Sequence, residues 1–292
     1  MTATATPRSL IADARYEVIP MKNVEPQIPH LPAGSVVSVT CSPAKGIPAT
    51  LDLTARLLDL GHVAVPHFSA RLVRDAAEVR SLAEFCRSHA VREVFLVAGD
   101  PPEPVGDYDG VVAFLRDFLA CDHGLERIGV TAYPDGHAII PSDVLHQALH
   151  TKQALLAEAG VAGFASTQMC FDLAQWQRWA VAERAAGLTL PLHLGVPGVI
   201  DRMKLITMGM RLGIGASMRF VQKNGGILGR LFAPTSFDPN RMIMPLGRAA
   251  DQLGIEGLHL FTFNNVQATA EWQQRMLTKL SERDGRGVGA AR

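Results

Sequence analysis

The stretch EVFLVAGDPP, Glu93–Pro102, decides how the chain is read. An unbroken apolar run ends in Gly99, Asp100 and two prolines. A short apolar run bounded by turn residues is the pattern of a buried strand. A carboxylate at the tip of such a strand is costly unless it has a partner or a task. Pro101 and Pro102 stiffen the loop that presents it.

Working outward, seven more runs of this type appear: YEVI (16–19), VVSVT (36–40), HVAVPH (62–67), RIGVTAY (127–133), GFASTQM (163–169), LPLHLGV (190–196) and GLHLFTF (257–263). They read as apolar on both faces, which suits parallel strands covered on both sides. Helical patterns lie between them. ATLDLTARLLDLG stops at Gly61, DGVVAFLRDFLACDHG at Gly124 and LHQALHTKQALLAEAG at Gly160. DAAEVRSLAEFCRSH opens on Asp75 with Glu78 three residues on, a capping-box-like start. Strand and helix alternate about every 30 residues, the βα rhythm of an α/β fold. Eight units predict one (β/α)₈ barrel over 13–280, with residues 1–12 and 281–292 as flexible ends. The rival is an open doubly wound sheet, but no Gly-rich dinucleotide turn follows a strand; GIGASM (213–218) follows a helical pattern. The Gly- and Pro-rich segment 221–241 reads as a long loop before the last strand.

Bulk composition excludes several classes. The 292 residues are 48% hydrophobic and 19% charged, enough for a sizeable core. Lys plus Arg equals Asp plus Glu, 28 each, so nothing points to nucleic acid or an acidic membrane as partner. Cys41, Cys86, Cys121 and Cys170 form no CxxC pair and read as reduced thiols of a cytoplasmic protein. The first residues show no signal-peptide pattern, and no stretch reaches the roughly 18 apolar residues of a membrane span.

In a barrel of this kind the chemistry sits at the C-terminal ends of the strands. That selects Glu17, Thr40, His67, Asp100, Tyr133, His137, Gln168, His193 and Asn264. No H-x-H or HExxH occurs, and no tight ligand pair can be read, so no metal is expected; His193 and His259 read as hydrogen-bonded interior residues. No G-x-S-x-G elbow is present, and Cys170 between Met169 and Phe171 reads as packing. Glu17, inside an apolar strand, is expected to hold its proton and act as an acid, while Asp100 at the mouth stays ionised.

These residues stand in words that resemble methylenetetrahydrofolate reductase. YEVIP, VSVTCSPAKG, VPHFSA, VAGDPP, IGVTAYPDGH, STQMCFD and GLHLFTFN follow the order of that family's motifs over roughly 15–270. The chain is similar to the short bacterial type, and within it to divergent members like the mycobacterial reductases. The resemblance implies reduction of 5,10-methylenetetrahydrofolate to 5-methyltetrahydrofolate with NAD(P)H, NADH favoured. Glu17 would supply the proton that opens the five-membered ring. Asp100 would pair with the pterin and tune the reductant, and Gln168 would be a pterin ligand. FAD is the family's default cofactor, and Thr40, His67, Gly99, Tyr133 and His137 match positions that touch it. Two departures argue against flavin. Ala98 stands where the family has Arg, and the stretch after YPDGH offers only Lys152, His146 and His150 as cations. The reduced folate is then the partner, with a homo-oligomer left open. The alternatives are a flavin-dependent barrel oxidoreductase acting on another reduced pterin, and a non-catalytic folate-binding protein of the same fold.

Overall fold

A computed structural model describes residues 5–211, 236–246 and 249–289. Eight parallel strands close into a barrel in sequence order. They are β1 Arg15–Val18, β2 Val36–Val39, β3 Val63–Ser69, β4 Glu93–Val97, β5 Arg127–Ala132, β6 Ala162–Thr167, β7 Leu192–Pro197 and β8 Ile255–Phe261. Pairing of β1 with β8, Glu17 opposite Phe261, closes the ring. The helices that cover it include α1 Pro7–Ala12, α2 Gly46–Asp59, α3 Ala76–Ser88, α4 Val111–Leu119, α5 Ser142–Glu158, α6 Leu173–Ala185 and α7 Arg202–Arg211, with a long C-terminal helix Val266–Gly289.

Local chemistry sets these helices. Asp75 caps α3 by accepting from the Glu78 N–H at 2.9 Å. The reciprocal arm differs from a capping box: Glu78 reaches past Asp75 to accept from the Arg74 N–H at 2.8 Å. The expected flexible start is instead α1, capped by Thr6, with Leu10 and Ile11 buried. The C-terminal helix likewise continues through the expected tail to Gly289. Gln273 ties the two ends together, accepting from the Tyr16 hydroxyl and donating to the Ile11 carbonyl, each at 2.6 Å. The stretch 221–241 lies mostly outside the described residues, as does GIGASM. Of its described end, Ser236 bridges Asp201 and Phe237 is buried. Among the described residues no helix is long and apolar enough to cross a membrane.

The outward strand faces carry the apolar load: Val94, Leu96, Ile128, Val130, Leu192, Leu194, Leu258 and Leu260 join one core between barrel and helices. The inward face is not the second apolar face expected. It mixes charged, polar and aromatic groups with few aliphatic ones: Arg15 and Glu17 on β1, Val65 and His67 on β3, Glu93 and Phe95 on β4, and His259 and Phe261 on β8. A floor of charge closes the N-terminal end. Arg15 pairs with Glu93, and Arg127 pairs with Glu256 at 2.6 Å. Both guanidinium groups lie over the Phe164 ring, at 4.7 and 5.0 Å. Gly129 is required there, because a Cβ at that position would meet the Phe164 ring at 2.3 Å and the Phe95 ring at 2.5 Å.

Candidate functional site

The open end of the barrel is built from strand termini and the loops after them. Glu17, next to last in β1, turns inward and is 13% exposed. It is not a solitary acid. Its Oε2 lies 2.9 Å from Nε2 of His259, which β8 brings in from the far end of the chain. His67 of β3 completes a cluster: one ligand-type atom each from Glu17, His67 and His259 lie within 4.8 Å of one another. The sequence offered no tight ligand set; the barrel's curvature makes one from three different strands. Burial, and then the neighbouring His259 imidazole, push the His67 imidazole well below its ordinary pKa, so it stays neutral.

Three polar atoms on this inner wall have no hydrogen-bond partner among the described residues: Thr40 Oγ1, His67 Nε2 and Ser166 Oγ. Buried groups of this kind are rare and call for a ligand, a water or a task.

The loop after β4 carries Asp100. Gly99 sits at φ +98°, a conformation that favours glycine, and a Cβ there would lie 1.8 Å from Ser69 Oγ. Asp100 is exposed, and its charge helps raise the pKa of the Cys41 thiol and the Tyr133 phenol, after burial in both cases. Its position is fixed by Arg71, which sequence reasoning missed. The Arg71 guanidinium donates to the Pro101 carbonyl at 2.8 Å, to the Pro102 carbonyl, and to the Asp109 carbonyl and carboxylate at 2.9 and 2.8 Å. An Arg two residues past a strand was the available signal, but its partners lie about 30 residues on.

The remaining expected residues fall in two groups. Tyr133 and His137 share the β5 loop, their rings 5.4 Å apart edge to face. The Gln168 carbonyl turns back to accept from the Met169 N–H at 2.9 Å. Asn264 is a structural tie: at φ 59° it accepts from the Ile19 N–H and donates to the Ile19 carbonyl, continuing the ladder where strands end. His193 is not at the mouth. It is the second residue of β7, on the floor, 3.0 Å from Glu256. Burial outweighs that carboxylate and pushes its imidazole down to about 3.

No family model matches the chain. Solved structures are similar to it only weakly. Tryptophan synthase from M. tuberculosis, aminoacrylate-bound, is 12% identical with a TM-score of 0.41, over 72% of this chain and 87% of that one. A structure described as a deoxyribose-phosphate aldolase from Toxoplasma gondii ME49 is 11% identical with a TM-score of 0.44, over 92% and 96%. The D-hydantoinase of Bacillus sp. AR9 is 13% identical with a TM-score of 0.34, over 60% of this chain and 42% of that one. Likeness at this level bears on no chemistry.

The cations after the β5 loop are all committed to protein partners. Lys152 is buried and donates from Nζ to the Thr131 carbonyl at 3.0 Å; burial pushes its amine down to about 8. His146 and His150 both turn to Glu183. The N-terminus of α5 has no side-chain cap but carries Asp143 in its first turn.

Proposed function

We propose that the chain reduces 5,10-methylenetetrahydrofolate to 5-methyltetrahydrofolate with NAD(P)H in direct hydride transfer. The observation that carries this reading is the Glu17–His259 pair at 2.9 Å, drawn from β1 and β8 on the inside of the barrel. The reaction needs one proton and one hydride on the same substrate. Glu17 protonates N10 as its bond to the bridging carbon breaks, leaving an iminium at N5. The hydride then adds to that carbon, giving the N5-methyl group and the oxidised nicotinamide. His259 is positioned to return a proton to Glu17 after turnover. Asp100, exposed on a braced loop, suits the NH-rich edge of a pterin, to which charge-assisted bonds are stronger than neutral ones. Thr40 and Ser166 supply hydroxyls for the same ring.

The residues present do not fit a flavin dinucleotide. Ala98 brings no charge, Lys152 is spent on a backbone carbonyl, and Asp143 opposes an anion at the α5 N-terminus. Losing two charge-assisted contacts costs about 3 kcal/mol or more, at least about a hundredfold in affinity. A nicotinamide supplies the hydride.

The test is kinetic. NADH oxidation should require methylenetetrahydrofolate, with initial-rate lines that intersect. Glu17→Gln should keep folate binding and lose about 10²-fold or more in turnover. Near-normal turnover in that variant would remove the proton donor, and parallel lines with a bound flavin spectrum would remove direct transfer. A second reading, metal-assisted hydrolysis, is favoured by the Glu17, His67 and His259 cluster alone. Chelator sensitivity without any nicotinamide dependence would select it.

A further inference from the structure

A second cluster lies outside the barrel, between α5 and α6, and the proposed reductase activity makes no use of it. His146 and His150 stand at i and i+4 of α5, so they share one face of the helix. Glu183 comes from α6, with its side chain 8% exposed. His146 Nδ1 and His150 Nε2 each lie 2.9 Å from the same oxygen, Oε2 of Glu183. The two imidazole centroids are 4.4 Å apart. No other partner of the Glu183 carboxylate is found among the described residues. Two imidazoles converging on one buried carboxylate oxygen make a poor way to fill a helix seam, since apolar residues of similar volume are commonly at least as stable.

We propose that His146, His150 and Glu183 form a binding site for a divalent transition metal of the zinc class. Two imidazole nitrogens and one carboxylate oxygen are a donor set that zinc takes with an open fourth position. Bonds of about 2.0–2.1 Å place tetrahedral donors about 3.3 Å apart, so each 2.9 Å contact must open by about 0.4 Å. His146 has the freedom to do so, being 47% exposed. With the metal bound, His146 carries its proton on Nε2 and His150 on Nδ1, so the nitrogens that face the carboxylate, His146 Nδ1 and His150 Nε2, bond the metal.

The open position has somewhere to face. A cavity of about 460 Å³ is lined by His146 and Glu183 together with Tyr133, Gly136, Gln175 and Trp179. Its far wall is braced, with Gln175 donating to the Pro134 carbonyl at 3.1 Å and accepting from Arg178 at 2.9 Å. A metal at the near wall would hold a water or a small anionic ligand in that space. The cavity also touches the β5 loop that carries Tyr133 to the mouth.

The experiment is zinc titration of the full chain against a chromophoric chelator, with cobalt substitution as the spectroscopic arm. The wild type should hold one equivalent, and cobalt should give the strong d–d bands of a four-coordinate N/O site without a thiolate charge-transfer band. His146→Ala and His150→Ala should each weaken zinc by about 100-fold or more, beyond the 10–100-fold typical of losing an outer-shell partner. Each variant's circular dichroism should match the wild type, and zinc should raise Tm only where the site is intact. Glu183→Gln, which keeps the packing, should also weaken zinc. Absence of binding in the wild type would overturn the proposal. So would undiminished binding in the two His variants, or loss in His67→Gln alone, which would assign the metal to the barrel interior.

Discussion

Arg71→Ala should free the Asp100 loop without loosening the barrel. The guanidinium makes four bonds across residues 101–109 and is only 18% exposed. Bonds to a charged donor are worth about 1.5–3 kcal/mol each. Both Asp109 bonds, to carbonyl and carboxylate, are open to water and are discounted. The two proline carbonyls, at the lower bound, leave about 3 kcal/mol of local stability. The amides of Val105 and Asp107 report on it, because they donate to the carbonyls of Arg71 and Arg74 at 2.9 and 2.8 Å. A loss of about 3 kcal/mol speeds their hydrogen exchange about 150-fold, at about 1.4 kcal/mol per tenfold. Amides inside β3 and β4 should keep wild-type protection. Arg71→Lys is the sharper variant: an ammonium cannot fork, so about half the loss should remain, a roughly tenfold faster exchange. Unchanged exchange at Val105 and Asp107 in Arg71→Ala, or full protection in Arg71→Lys, would refute the bracing role.

Gly99→Ala should destabilise the chain by about 2–4 kcal/mol, from the φ cost and the clash with Ser69 Oγ; adding Ser69→Ala should recover part of it in urea melts, and no recovery would mean the clash is not the cause. His193 is held neutral with its pKa near 3 against an ordinary 6.5, so the unfolded chain binds more protons between those values. Stability therefore falls as pH drops through that window, by up to about 1.4 kcal/mol per unit. His67 acts in the same direction, and Glu256, lowered to about 2 chiefly by its bond to His193, adds its own loss below its ordinary 4.5. His193→Gln should flatten the slope of urea midpoint against pH; an unchanged slope would show that His193 is protonated in the fold. Lys152, held at about 8 by burial against an ordinary 10.5, makes stability rise with pH across that window. Lys152→Met should abolish the rise, and a rise that persists would assign it elsewhere.

All eight strands were legible because each is a short, mostly apolar run with a helical pattern on either side. Val, Ile and Leu fill the outward faces of β2, β4 and most of β5, β7 and β8, while β1, β3 and β6 use Tyr, Phe, Ala or Pro there. The inward faces were misread. Arg15, Glu93 and Arg127 open their strands and look like turn residues in one dimension, yet each is a floor group whose partner lies on another strand. Glu17 was legible as a buried carboxylate, but His259 as its partner was not, since 242 residues separate them. His146 and His150 were visible as a helical pair; nothing local pointed to Glu183, which sits one βα unit later. At the N-terminus, Thr and Ala dominate the composition and conceal two residues, Leu10 and Ile11, that are enough to dock a short helix.

The floor has a consequence for how the chain is divided. Arg15 opens the first strand and meets Glu93 at the start of the fourth; Arg127 opens the fifth and meets Glu256 in the eighth. The same two charges are thus set at matching places in two consecutive runs of four strands. Each run neutralises its own base, and a longer 4.0 Å approach of Arg127 to Glu93 spans the seam where β4 pairs with β5. Four strands assembled alone would leave no bare ion at their lower rim, so the molecule is electrostatically a pair of half-barrels before it is a whole one.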